Sequence, residues 1–287
     1  MRVQRSYEPM WDIKEVLSKV KELPPFPQVA LRVLRLLAQE APFREIAPLI
    51  ELDEGFTAEV LRVCNSPFFG LRRQVSSVKE ALVYLGEKYL LEIISRVASR
   101  NYLFGEHSGY DLRRGELWGH AVACALASDL LEERRKGQRD PTLFTAALLH
   151  DIGKVILSSY VAQAFEEILK RVKEGKGFVE AEREAIGIDH ASLGGEIARS
   201  WNFPEEIVDA ILYHHEPEKS KTPYAYKVHI ANAMCSLMGV GTGVDELRER
   251  VRPEAYGILG LDRRELMLLL SELCLRFEKA KELFGLE

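Results

Sequence analysis

Apolar residues recur at spacings of three and four along nearly the whole chain, and alternating runs of period two are scarce. That pattern lays a stripe along a helix and cannot cover one face of a strand, so the chain reads as all-α. Helix starts are written into the sequence. Ser77-x-x-Glu80 has the form of a capping box, Asp140-Pro141 is an N-cap followed by proline at the first helical position, and Pro204-Glu205-Glu206 places acids at a positive helix end. Five or six short helices are expected over 9–104, broken at Leu23-Pro24-Pro25-Phe26-Pro27, Asp53-Glu54-Gly55, Asn65-Ser66-Pro67-Phe68-Phe69-Gly70 and Leu85-Gly86. Longer helices follow near 112–136, 141–150, 160–174, 178–186, 190–201, 204–214, 223–238 and 263–284.

A chain of 287 residues, 47% hydrophobic and 29% charged, is long enough for one large domain or two small ones sharing a core. No apolar run reaches the roughly 18–20 residues of a membrane span, and the first residues lack the apolar stretch of a signal peptide, so a cytoplasmic protein is expected. Cys64, Cys124, Cys235 and Cys274 are far apart and form no CxxC pair, which points to reduced, mostly buried thiols. The net charge of −5 argues against nucleic acid as the main partner; only Arg72, Arg73, Lys79, Lys88, Arg96 and Arg100 approach a basic stripe. No GxGxxG, Walker A or GxSxG pattern is present. Phe68-Phe69 and Trp201-Asn202-Phe203 read as core anchors before they read as a partner-binding patch.

The histidines carry the chemistry. Glu116 and His120 are four apart, on one face of a long helix. His150-Asp151 closes the apolar run Thr145–Leu149, which puts an imidazole and a carboxylate at the end of a buried helix, where an unpaired charge is costly. A metal, or a cation such as Lys154, would relieve that cost. His190 and His214-His215 complete the set, the last pair delivered by the helix at 205–213. Imidazoles and carboxylates without thiolates suit one or two divalent ions such as iron, manganese, nickel or zinc, and argue against a closed structural zinc site. Asp151 could bridge two ions and Lys154 could hold a phosphate.

These residues resemble the metal-dependent HD phosphohydrolases, and more specifically the HDOD family, the HD-related output domain of bacterial signalling proteins. The resemblance is carried by Leu23-Pro24-Pro25-Phe26-Pro27, by Val60–Gly70, by Ser77–Gly86, by Leu148-Leu149-His150-Asp151-Ile152-Gly153-Lys154, by Gly187–Ala191, and by Trp201–Pro204 through His214-His215. It implies two helical lobes, here an N-terminal lobe over 1–105 and an HD-like lobe over 106–240, with a C-terminal helical extension over 241–287. By similarity to the related HD-GYP phosphodiesterases, Glu116, His120, His150, Asp151, His190, His214 and His215 fall at metal-ligand positions and Lys154 at a phosphate-binding one, with Asp151 and Lys154 the implied catalytic pair. Two departures stand out. The late ligand Asp is Asn232, which brings no charge, and the Gly-Tyr-Pro motif is replaced by Pro217-Glu218-Lys219. The expected function is therefore a signal-transduction output module that acts mainly on a protein partner and keeps a metal site. The alternative is a metal-dependent phosphohydrolase of a nucleotide or other phosphoester. The leucine-rich C-terminal helix either caps the core or pairs with a partner helix.

Overall fold

A computed structural model describes residues 10–24, 26–241, 243–244 and 253–284. Among them the chain is helical throughout, with one isolated bridge between His107 and Leu112 and no strand. Pro25, the side chains of Arg96 and Arg100, and residues 245–252 of the expected C-terminal extension lie outside the described residues.

The N-terminal lobe contains α1 (Ile13–Ser18), α2 (Gln28–Ala38), α3 (Phe43–Ile50), α4 (Glu54–Cys64) and α5 (Val78–Leu103). Asp53 caps α4 by accepting from the Phe56 N–H at 2.9 Å. The expected break at Leu85-Gly86 is a kink inside α5, where Gly86 takes φ 65°. At the expected capping box, the Ala81 N–H bonds the Ser77 carbonyl, and the Glu80 carboxylate meets Arg73 at 2.5 Å. Asn65 ties down the loop after α4. It donates to the Val75 carbonyl at 2.8 Å and accepts from the Val75 N–H at 2.7 Å, replacing a backbone partner on both sides.

The second lobe is built from α6 (Glu116–Lys136), α7 (Pro141–Leu149), α8 (Lys154–Lys173), α9 (Phe178–Ile186), α10 (His190–Ser200), α11 (Glu205–Tyr213) and α12 (Tyr224–Leu237). Then come α13 (Pro253–Leu259) and α14 (Arg263–Phe284), the latter lying on α6. Helix α8 starts six residues before the expected position, at Lys154, because Ile156 and Leu157 are buried and Val155 half-buried in its first turn. The lobes share one hydrophobic core. Phe26 sits between Trp201 and Phe203 at ring separations of 5.5 and 5.1 Å, and Tyr102 meets Trp201 at 5.0 Å with the rings tilted by 52°. Arg35 donates across the same seam to the Asn202 carbonyl at 2.9 Å. Trp201 and Phe203 are thus core anchors, while Phe68 is exposed.

Candidate metal centre

Five helices deliver their side chains to one buried point. Helix α7 is apolar on every side and buried from Leu143 to Leu149, so the chain must place His150 and Asp151 inside the lobe as α7 ends. The turn into α8 is tight. A Cβ on Gly153 would lie 1.9 Å from the His190 carbonyl oxygen and 2.8 Å from the Gly194 N, so only glycine lets the α7–α8 corner touch α10. Asp189 caps α10 by accepting from the Ser192 N–H at 2.8 Å, which fixes His190 as the first helical residue. His214 closes α11, with His215 next to it.

Asp151 is the hub. Its Oδ2 lies 3.3 Å from His150 Nε2, 3.7 Å from His120 Nε2 and 2.7 Å from Lys154 Nζ. Its Oδ1 lies 3.5 Å from His190 Nε2 and 3.7 Å from His214 Nε2. The carboxylate therefore faces two groups of imidazoles, one on each oxygen. His190 Nε2 is also 2.8 Å from His215 Nε2. All of these side chains are buried.

The outer nitrogens are already committed. His120 Nδ1 donates to the Val240 carbonyl, His150 Nδ1 to the Ala147 carbonyl and His214 Nδ1 to the Ile211 carbonyl, at 2.8, 2.8 and 2.7 Å. His190 Nδ1 donates to Glu182 Oε2 at 2.8 Å. The hydrogen-bond network thus assigns the Nδ1–H tautomer to His150 and His214 and turns their Nε2 lone pairs inward, while His120, whose Nε2 faces the Asn232 Oδ1 acceptor, carries a proton on each nitrogen. His150 Nε2, His214 Nε2 and Asp151 Oδ1 are buried and make no hydrogen bond. Orphaned acceptors at this depth cost free energy unless a cation joins them. The donor set fits a divalent ion on either side of Asp151, with Asp151, His190, His214 and His215 on one side and His120, His150 and the Cys124 thiol on the other, so the thiolate-free set expected from the sequence holds on the first side only.

Electrostatics divide the ligand set: burial opposes charge on His120, but Cys124 and Asp151 override it and push the imidazole up to about 10, so an ion there must displace its proton. Burial would raise the Asp151 carboxyl, but His150 and Lys154 hold it well below the usual carboxylate range. Burial pushes His150 and His214 down, and neighbouring imidazoles add to the effect on His214, so both are neutral and ligand-competent. Burial also opposes charge on His190; Glu182 overrides it and pushes the imidazole up to about 9. Lys154 sits over the Tyr110 ring, 5.4 Å from its centroid.

The expected ligands do not all converge. Glu116 faces away from the cluster, its carboxylate accepting from the Arg113 N–H at 2.6 Å. Asn232 does reach it, with Oδ1 2.9 Å from His120 Nε2. Sequence reasoning missed Glu182 and Tyr110, whose phenol donates to Glu182 at 2.5 Å and whose ring meets His190 edge-on at 5.9 Å. It also missed Cys124, 3.5 Å from His120 Nε2. Only Cys124 carried a signal, one turn beyond His120 on the same helix. Cys64, Cys124 and Cys235 are buried and Cys274 is exposed, all four as free thiols. Burial pushes the Cys64 thiol up, away from nucleophile chemistry.

The HDOD domain signature matches residues 23–217. The chain belongs to the HDOD family. An HDOD domain protein with unknown function from Geobacter sulfurreducens is 27% identical, with a TM-score of 0.70, over 95% of this chain and 98% of that one. A candidate signal transduction protein from Marinobacter aquaeolei VT8 shares the fold at 23% identity and a TM-score of 0.71, over 98% of this chain and 62% of that one. A candidate phosphohydrolase from Shewanella amazonensis SB2B does so at 23% and 0.66, over 94% of this chain and 97% of that one. Among curated relatives, an uncharacterized protein of Treponema pallidum is 25% identical over 81% of this chain. Ribonuclease Y of Thermus thermophilus is 34% identical over 31% of this chain. The matches span only 46% and 11% of those relatives' lengths. No described helix is long and apolar enough to cross a membrane.

Proposed function

We propose that this HDOD chain is a signal-output module that keeps a buried metal centre at Asp151, His120, His150, His190, His214 and His215, and acts on a protein partner rather than turning over a phosphoester. One observation carries the reading: the inward-facing acceptors are sealed. Asp151, His150, His190 and His214 are each at most 2% exposed. Lys154, the residue expected to meet a phosphate, is itself buried and pairs with Asp151. Asn232 supplies an amide where the related enzymes supply a charge. An ion held here joins α6, α7, α10 and α11, and its binding free energy adds to folded-state stability. Purified without chelators, wild type is expected to contain near-stoichiometric transition metal and to lose several degrees of thermal stability when the metal is stripped. A His150→Ala/Asp151→Ala variant is expected to lose both the metal and the response. A metal-free, equally stable wild type would sink the proposal.

The second reading, a phosphohydrolase, is favoured by the way the two Asp151 oxygens face separate imidazole groups. Two ions sharing that carboxylate would supply Lewis acidity and an activated water for attack on a phosphoryl group. In that case Lys154 would orient the phosphate, and metal-dependent hydrolysis of a generic phosphodiester, increased by Asn232→Asp, would be measured.

A further inference from the structure

Helix α14 turns Leu269, Leu273, Phe277 and Ala280 onto the core. At about 100° per residue, the opposite face carries Arg264, Met267, Leu268, Ser271, Cys274, Leu275 and Glu278. On a helix lining a core, this side should be polar. Instead Met267, Leu268 and Leu275 are 58, 54 and 66% exposed, and Cys274 is exposed beside them. Met267, Leu268, Cys274 and Leu275, spread over about two and a half turns, form an exposed stripe, with Leu268 at its edge beside Leu130 of α6.

The order of residues on that stripe specifies what covers it. Read outward from Ser271, the apolar positions are symmetric, and Arg264 seven residues before is matched by Glu278 seven after, while Arg263 and Lys279, eight before and eight after, are like charges at the edges of the face. A second α14 laid antiparallel about a two-fold axis at Ser271 sets Arg264 against Glu278 of the other copy, Met267 against Leu275, and Leu268 against Cys274. A parallel pair would set Arg264 on Arg264 and Glu278 on Glu278. Ser271, small and on the axis, allows close approach. Glu278 now pairs with Lys281 on its own helix at 2.8 Å, a surface contact that yields readily to Arg264 of the other copy. We propose that α14 is the self-association surface of this protein and that its partner is a second copy of this chain, docked antiparallel through an isologous two-fold interface. Four apolar side chains make a small contact, so the dimer is expected to be concentration-dependent.

Light scattering coupled to gel filtration of the 287-residue protein at tens of micromolar tests this. The expected result is a dimer that gives way to monomer on dilution, and a monomer at all concentrations for Leu275→Glu with unchanged circular dichroism. Arg264→Glu should weaken the dimer roughly tenfold and Arg264→Glu/Glu278→Arg should restore it. In a Cys274→Ser background, Ser271→Cys should cross-link under mild oxidation. A monomeric wild type, a dimer indifferent to Leu275→Glu, or a charge reversal that rescues nothing overturns the proposal.

Discussion

Asp129 shows how far burial moves a single group away from its ordinary behaviour. It lies on α6, 1% exposed, with Arg139 Nη2 3.0 Å from Oδ2, yet desolvation outweighs that partner and the carboxyl is pushed up to about 7. Glu133 and Glu92 add to the rise, and Glu92, itself buried, is also pushed up to about 7. The native state therefore holds protons that the unfolded chain releases from about pH 4 upward. Stability falls as pH rises through the window from about 4 to 7, the reverse of an ordinary paired carboxylate. Asp129→Asn removes the titrating group, so the difference in stability between pH 5 and pH 8 should shrink by about 1–3 kcal/mol in urea melts. An unchanged pH slope would show that Arg139 keeps Asp129 ionised. At this scale the sequence was informative about some groups only. His120, His150, Asp151, His190, His214 and His215 were legible because their spacing and neighbours mark them. Glu182 and Tyr110 were not, because a lone acid in an amphipathic helix reads as solvated surface until its fold neighbours are known.

Helix ends, more than helix interiors, make the centre. His150, Asp151, His190, His214 and His215 all stand at termini or in the turn after α7; the helix starts readable in the sequence, at Asp140 and Pro204, are the far ends of α7 and α11, and Asp189, the cap that fixes His190, was not read as one. The register of α8 was not readable. Its first turn looks loop-like after Ile152-Gly153, and only the close approach of α10 shows why glycine ends one helix as the next begins. Gly153→Ala drives a methyl into the His190 carbonyl and must part α8 from α10. We expect a loss of about 2–4 kcal/mol and weakened metal binding, read from chemical denaturation and from metal content after dialysis. An alanine variant with wild-type metal content would show that the corner has slack.

Across the molecule, apolar periodicity predicted the all-α architecture, but it is silent on which helices meet, since every stripe looks alike until packed. The seam between the lobes depends on such a pairing: Phe26 from before α2 enters between Trp201 and Phe203, which lie far along the chain in the second lobe. Since one core spans both lobes, unfolding should be a single transition by fluorescence and circular dichroism. Phe26→Ala should lower it by about 3–4 kcal/mol without splitting it. Two resolved transitions in that variant would mean that the lobes fold independently.

The Val240 carbonyl that holds the His120 ring belongs to the strap leaving α12, and Gly241 beside it has room for no side chain, since a Cβ would lie 2.6 Å from the Glu116 carbonyl oxygen. The backbone just past α12 therefore aims the imidazole. A shift of the backbone at Val240 would re-aim His120, and a cation that fixes His120 would hold the Val240 carbonyl in return.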